Sequence, residues 1–490
     1  VTTAILFFSS IKYHFSYKDI LGGKVLLFPI LHEHQNDLLP SFLIFNHLNT
    51  HFPKPSTLLF MNKFILPLLL LSGAAMGQTA LRPKIDTKAS SLEAKVVEWR
   101  RDIHQNPELG NAETRTAKKI ADHLRSLGIE VQEGVAVTGV VGILKGGKPG
   151  PTVALRADMD ALPVTERVDL PFKSTITSTY NGQQTGVMHA CGHDTHVAIL
   201  MGVAEILAGM KNDLRGTVKF VFQPAEEGIY QEGVTSWGAK QMVEEGVMKD
   251  VDAIFGLHIA SQMEVGKIGY RPGPAMAAVD NLDITILGTQ AHGASPWSGV
   301  DPIVASSQII TGLQTILSRN VNITENPAVV TVGAIHGGIR HNIIPEKVEM
   351  IGTIRTFGEA QQELVHRRVR EVVTNIAESA GAKAEVTITK LYPATINEPA
   401  LTAQMASTVL AAAGEGNVIT NPPITGAEDF SFFQREKPGL FISLGGMKKG
   451  GDPTKTPSHH TPDFYIDEGG FVLGMRVMSY FVVDYLGAKK

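Results

Sequence analysis

The sequence predicts an α/β protein in which a mainly parallel sheet is covered by helices and interrupted by a smaller α+β domain of ferredoxin-like pattern. Three observations carry this. Short apolar runs such as "TVALRADM", "TVKFVFQ" and "DAIFGLHI" are nearly continuous and β-branched, as in strands covered on both faces. Helical spacings separate them, in "HVAILMGVAEILAGM" and "WGAKQMVEEGV", and alternating strands and helices argue for parallel pairing. From Gly273 the order changes to β-α-β-β-α-β, and a chain of 490 residues exceeds what one core can support.

Taken in order, residues 1–60 are patchy in Phe, Leu and His and read as an upstream extension foreign to the mature protein. Residues 61–77, "MNKFILPLLLLSGAAMG", have the lysine, short apolar core and small-residue end of a signal peptide, and that core is too short to span a bilayer. The expectation is export to the periplasm or medium, with no membrane attachment after cleavage. The polar run that follows reads as a break, so the catalytic domain is placed at residues 90–272 and 392–490, with the insertion at 273–391. "SLEAKVVEWRRDIHQNPEL" and "TRTAKKIADHLRSLG" are helices, the second stopped by Gly128. Within the insertion, "NLDITILG", "AVVTVGAI", "VEMIGTIRTF" and "AEVTITKL" are strands. "GLFISLGG" and a helix near 467–485 resume the earlier style.

Composition narrows the partners. A net charge of -4 offers no basic surplus for nucleic acid or an anionic membrane surface, so a small molecule is expected. Cys191 is the single cysteine, which excludes an intramolecular disulfide. It sits in "VMHACGHDTH", with His189, His193, Asp194 and His196 beside it.

Ligands of an open parallel sheet bind beyond the carboxyl ends of its strands. Asp158 and Asp160 follow one buried strand, Glu226 and Glu227 another, and His258 ends a third. Each alone is more often structural than functional, and a lone buried cysteine usually packs as a small hydrophobe. Together, one thiol, imidazoles and carboxylates at one predicted edge suit a divalent transition metal. Neighbouring side chains of an extended segment point apart, so one glutamate of the pair can hold metal while the other faces a water. That is the apparatus of hydrolysis. A cysteine hydrolase using Cys191 as nucleophile leaves these carboxylates unexplained, and a metal-dependent binding protein without turnover needs no base.

The ordered run "RADMDALPV", "MHACGHDTH", "FQPAEEG", "AHGASPW", "GGIRHNIIP", "GTIRTF", "GAEDFSFF" and "HTPDF" resembles the aminoacylase and carboxypeptidase family of dinuclear amidohydrolases, in the branch of hippurate hydrolases and hydrolases of indoleacetic acid conjugates. The resemblance spans Ser90 to the C-terminus. It implies cleavage of N-acyl or N-aroyl amino acids, or of short peptides, using two divalent ions per subunit, zinc or manganese, with cobalt also compatible. It implies Cys191, His193, Glu227, His258 and His460 as metal ligands, with His459 an adjacent alternative, and Glu226 as general base. Asp160 supports the site. The insertion becomes a lid and dimerisation domain, with His292 polarising the carbonyl, commonly from a partner subunit, while Asn342 and Arg355 hold the substrate carboxylate.

Overall fold

The structure is a computed structural model and describes residues 5–8, 11–14, 79–229 and 236–488. Ile5–Phe8 and Ile11–His14 form an antiparallel pair. Most of the expected 1–60 extension, and all of the signal-like stretch at 61–77, lie outside the described residues.

The first helix among the described residues, Arg82–Gln105, begins eight residues before Ser90, where the sequence pattern placed the domain's start. Its polar first turns hide a buried stripe. Ile85, Ala89, Leu92 and Val96 recur every three or four residues and are buried in the main core, an amphipathic spacing that outweighs the surrounding Lys, Asp and Thr. Asp86 on the same helix accepts from Arg476 and Tyr480 of the last helix.

The main sheet has eight strands in the order Val418–Thr420, Ile268–Tyr270, Gly439–Met447, Ala253–Glu264, Lys148–Asp158, Arg215–Gln223, Gly139–Lys145 and Glu130–Val135. The four at its centre, from Gly439–Met447 to Arg215–Gln223, pair in parallel. Gly139–Lys145 and Glu130–Val135 extend it antiparallel. Helices on both faces bury the apolar runs, and two core clusters result, one around Phe220, Phe255 and Phe481 and another around Val221, Phe430 and Phe441. The last helix, Phe471–Ala488, is apolar enough in composition to cross a membrane yet is packed inside the fold. A hairpin not foreseen from the sequence joins Thr177–Tyr180 to Gln183–Gly186 through Asn181 and Gly182, both at positive φ; that Asn-Gly pair is the usual two-residue hairpin turn.

The inserted region forms its own antiparallel sheet, ordered Val329–Gly337, Lys347–Thr356, Ala278–Leu287 and Lys383–Tyr392. In order of appearance the strands lie 2-3-1-4, the ferredoxin-like arrangement. Helices Pro302–Arg319 and Glu359–Ser379 supply Ile309, Leu313, Val365 and Val369 to a separate core. The chain enters through Gly273–Met276 and leaves through Thr395–Asn397, and these two segments pair antiparallel with Gly273 opposite Asn397.

Candidate metal centre

The central strands deliver the polar groups to one end. Asp158 closes the strand Lys148–Asp158. Arg215–Gln223 is followed by Pro224 and by Ala225 at φ 49°, after which Glu226 and Glu227 lie in a turn. The pair is therefore not extended, and its division of labour comes from the turn and not from strand alternation. Cys191 precedes the helix His193–Ala208, whose N-cap Gly192 has φ 89°. A Cβ there would lie 2.4 Å from Ile259 Cγ2, so the close approach requires glycine. His459 and His460 come from the loop after Gly439–Met447, and His460 is itself left-handed at φ 64°.

These residues meet. Cys191 Sγ lies 3.3 Å from His460 Nε2 and 3.4 Å from His258 Nε2. His460 Nε2 is 3.0 Å from Glu227 Oε1. His193 Nε2 is 4.0 Å from both Glu227 Oε1 and Glu226 Oε2. Donor bonds of about 2.0–2.3 Å place tetrahedral ligands roughly 3.3–3.8 Å apart, close to this spacing. Cys191 belongs to two such groups, one with Glu227 and His460 and one with His258 and His459.

The second ring nitrogens decide which imidazoles are free to ligate. His193 Nδ1 donates to the Asp160 carbonyl and carboxylate at 3.0 and 3.1 Å. His258 Nδ1 donates to the Ile259 carbonyl at 2.6 Å. Each thereby presents the Nε2 lone pair to the cluster. His196 and His459 differ, because their Nε2 atoms accept backbone N–H groups from Ile259 and Ser261. Their Nδ1 protons then go to Asp158 and to the Cys191 carbonyl. Both nitrogens of His196 are spent; His459 has Nε2 occupied and divides Nδ1 between the Cys191 carbonyl and its Sγ at 3.6 Å, which favours His460 over His459. His193 Nε2 is buried without a hydrogen-bond partner, a state that a cation would relieve. The donor set thus fits two divalent ions.

Charge is distributed unevenly. Burial and the facing Glu227, Glu226 and Asp158 push the Cys191 thiol well up. Burial lowers the His193 imidazole, but Asp158, Asp160 and Glu227 outweigh it and push it up to about 10. Burial, with Glu428, Glu227 and Asp429 nearby, raises Glu226 well above the usual carboxylate range. Burial also raises Glu227, yet the hydrogen bond to His460 and the charge of His193 bring it below that range. One carboxylate has the high proton affinity that suits a base, and its neighbour is set to hold charge.

Asp160 sits behind the cluster. Besides His193, bonded at Oδ1, it accepts the Glu227 N–H at Oδ2 at 2.9 Å, so both its oxygens hold members of the cluster in place. Sequence reasoning missed the charges beneath. Arg156, 1 % exposed, pairs with Asp158, Glu428 and Asp429. Arg100 and His104 pair with Asp194 next to His193. Arg156 and the two acids lie in "RADMD" and "GAEDF", motifs quoted above without roles for them; a charge ending a buried apolar strand was the available signal.

The inserted domain carries the other three candidates, His292, Asn342 and Arg355. His292 and Asn342 are adjacent on a short ribbon, Ala291–His292 pairing with Ile343–Ile344 and the Gly293 N–H bonding to the Asn342 carbonyl. Arg355 stands on the four-stranded sheet opposite Val279 and Val329, its guanidinium lowered by burial. Among the described residues none of the three has a hydrogen bond or ion pair to the Cys191 group. A cavity of about 440 Å³ does adjoin it, lined by Leu109, Leu162, Tyr180, Glu227 and Ile229 among others.

A thiol, imidazoles and carboxylates gathered at the ends of parallel strands, with a base beside them, define a metal-dependent hydrolase. Residues 154–484 match the peptidase family M20/M25/M40, and the chain belongs to that family of metal-dependent amide hydrolases. It is 41% identical to thermostable carboxypeptidase 2 of Saccharolobus solfataricus, covering 82% of this chain and 98% of the relative. It is 37% identical to N-acetylcysteine deacetylase of Bacillus subtilis, over 81% and 98%, and 39% to IAA-amino acid hydrolase ILR1-like 2 of Arabidopsis thaliana, over 80% and 86%. Among solved structures, the Bacillus subtilis YXEP protein, described as a dinuclear metal-binding peptidase of the M20 family, superposes with a TM-score of 0.67 at 34% identity, over 81% and 99%.

Proposed function

We propose that the protein hydrolyses the amide of N-acyl or N-aroyl amino acids, of the hippurate or indoleacetyl-amino-acid kind, with short peptides bearing a free carboxylate as the second substrate class. Relatives named as a deacetylase, an IAA-amino acid hydrolase and a carboxypeptidase share an amide beside an amino-acid carboxylate, which supports both classes. Cys191, His193, Glu227, His258 and His460 would hold two ions, zinc or manganese, or cobalt, since thiolate with imidazole and carboxylate accepts each. Bound there, the ions supply Lewis-acid polarisation of the carbonyl and a more acidic water. Glu226 takes the water's proton and returns it to the departing amine. Asp160 holds His193 in its tautomer. From the inserted domain, His292 donates to the developing oxyanion, and Asn342 with Arg355 binds the substrate carboxylate. The cavity beside Glu227 receives one flank of the amide.

The observation that carries this reading is that Glu226 and Glu227 approach the same unpartnered His193 Nε2 at 4.0 Å while their proton affinities diverge. Export through residues 61–77 and a homodimer formed through the inserted domain complete the proposal. The test is a screen of N-acyl amino acids and dipeptides against metal-loaded protein expressed from Gln78. Chelation should abolish turnover, and Glu226→Gln should lower kcat by about 10²–10⁴-fold with metal retained. Full activity in Glu226→Gln would refute the assignment.

A further inference from the structure

The turn that presents Glu226 and Glu227 is held at two of its peptide groups, the second of them through both its N–H and its carbonyl. Behind it, the Ala225 N–H donates to Glu113 Oε1 at 2.9 Å, and Glu113, fully buried, is itself bonded by Thr138 Oγ1. Ahead of it, the Glu227 N–H donates to Asp160. The carbonyl of that same peptide group, Glu226 O, accepts from the Tyr392 hydroxyl at 3.0 Å. Ala225 has φ 49°, a left-handed conformation that costs a non-glycine residue roughly 1–3 kcal/mol and persists only where surrounding contacts enforce it.

Glu113 and Asp160 belong to the catalytic domain. Tyr392, the first residue of the second catalytic segment by sequence pattern, is in the structure the last residue of Lys383–Tyr392, the fourth strand of the inserted domain, three residues before the exit strand Thr395–Asn397. Its hydroxyl also accepts from Trp237 Nε1 at 3.1 Å, which aims its one proton at Glu226. We propose that Tyr392 is a positioning residue through which the inserted domain sets the orientation of the Glu226–Glu227 peptide, so that the posture of that domain is transmitted to the base. The inference rests on the reading of Glu226 as the proton carrier. It gives the insertion a role in alignment, separate from any substrate contact made by His292, Asn342 or Arg355.

The test uses Tyr392→Phe, which removes one oxygen and keeps the ring. In the metal-loaded protein kcat should fall about five- to tenfold, the factor one hydrogen bond supports, with KM changed less than about twofold and bound metal unchanged. Hydrogen exchange of the peptide covering residues 219–229 should quicken by a similar factor, while that covering 187–196 stays as in the parent. Trp237→Phe, which leaves the Tyr392 proton free to reach Glu226, should lose less than Tyr392→Phe. Unchanged kcat in Tyr392→Phe, or a fall in kcat with exchange at 219–229 unaltered, overturns the proposal. If the parent protein hydrolyses no amide, the functional reading fails, and the exchange measurement alone decides whether Tyr392 holds the turn.

Discussion

At the scale of single residues, the decisive facts are hydrogen-bond directions. His459 and His460 are neighbours beside the same thiol, and the motif His-x-Pro pointed to His460 by resemblance alone. The structure adds a physical reason, because the Ser261 N–H occupies His459 Nε2 while His460 Nε2 faces Cys191 and Glu227. His460→Ala should therefore bind fewer than two metal equivalents by mass spectrometry of the dialysed protein, whereas His459→Ala should keep two at saturation with affinity lowered about 10–100-fold. Equal losses would contradict the distinction. The donor types were readable from the sequence, since the carboxylates and His258 follow predictable strands and the thiol and His193 stand at the start of a predictable helix. Arg156, Glu428, Asp429 and Glu113 were not, because a buried charge looks like a surface charge until its partners are known. Glu113 offers a pH test of that burial. Burial and the nearby Asp160 push its carboxyl up to about 8, so the folded state holds a proton that the unfolded chain releases near 4.5. Its contribution is present below the unfolded value and lost as pH rises through the folded one. In metal-free protein, wild-type Tm should decline from pH 5 to 8 more steeply than that of Glu113→Gln, and parallel profiles would refute the burial argument.

At the scale of elements, the order of strands and helices was legible where hydrophobic periodicity was strong, as in "TVALRADM" and in the β-α-β-β-α-β insertion. It failed where tertiary packing selected a stripe from a polar run. Residues 82–89 read as a break, yet Ile85 and Ala89 are fully buried in the main core, and their helix packs against the last helix and the His193–Ala208 helix. Propensity alone carries little weight for such a segment, and burial of one face makes it helical. Ile85→Ala should accordingly cost about 2–5 kcal/mol, the range for deleting a buried aliphatic side chain. Calorimetry of the catalytic-domain transition would register this as a lower Tm. A chain starting at Ser90, which lacks both Ile85 and the Asp86 contacts to Arg476 and Tyr480, should be less stable still. An unchanged Tm in Ile85→Ala would mean that the first turns of this helix contribute no packing.

At the scale of the whole molecule, the metal cluster and the inserted domain stand on different cores. The proposed ligands, Cys191, His193, Glu227, His258 and His460, all fall outside residues 278–392, and the core of Leu282, Ile309, Val365 and their neighbours contains residues of the insertion alone. The catalytic end meanwhile concentrates buried negative charge. Asp158, Glu226, Glu428 and Asp429 are each under 9% exposed and surround the paired Arg156, with Glu227 and the Cys191 thiol beside them. Buried acids of one sign repel, and bound cations offset that repulsion in the folded state alone. A ligand at a hundred times its Kd adds about 2.7 kcal/mol of stability, so bound metal ions would stabilise chiefly the core that carries their ligands. Scanning calorimetry should then show two transitions, of which chelation moves the catalytic one downward by a few degrees and leaves the other in place. Re-adding zinc or manganese should restore it. Two transitions shifting together, or one cooperative transition throughout, would show that the cores unfold as a unit, coupled through the segment pair Gly273–Met276 and Thr395–Asn397 and through contacts such as those of Tyr392 with Glu226 and Trp237.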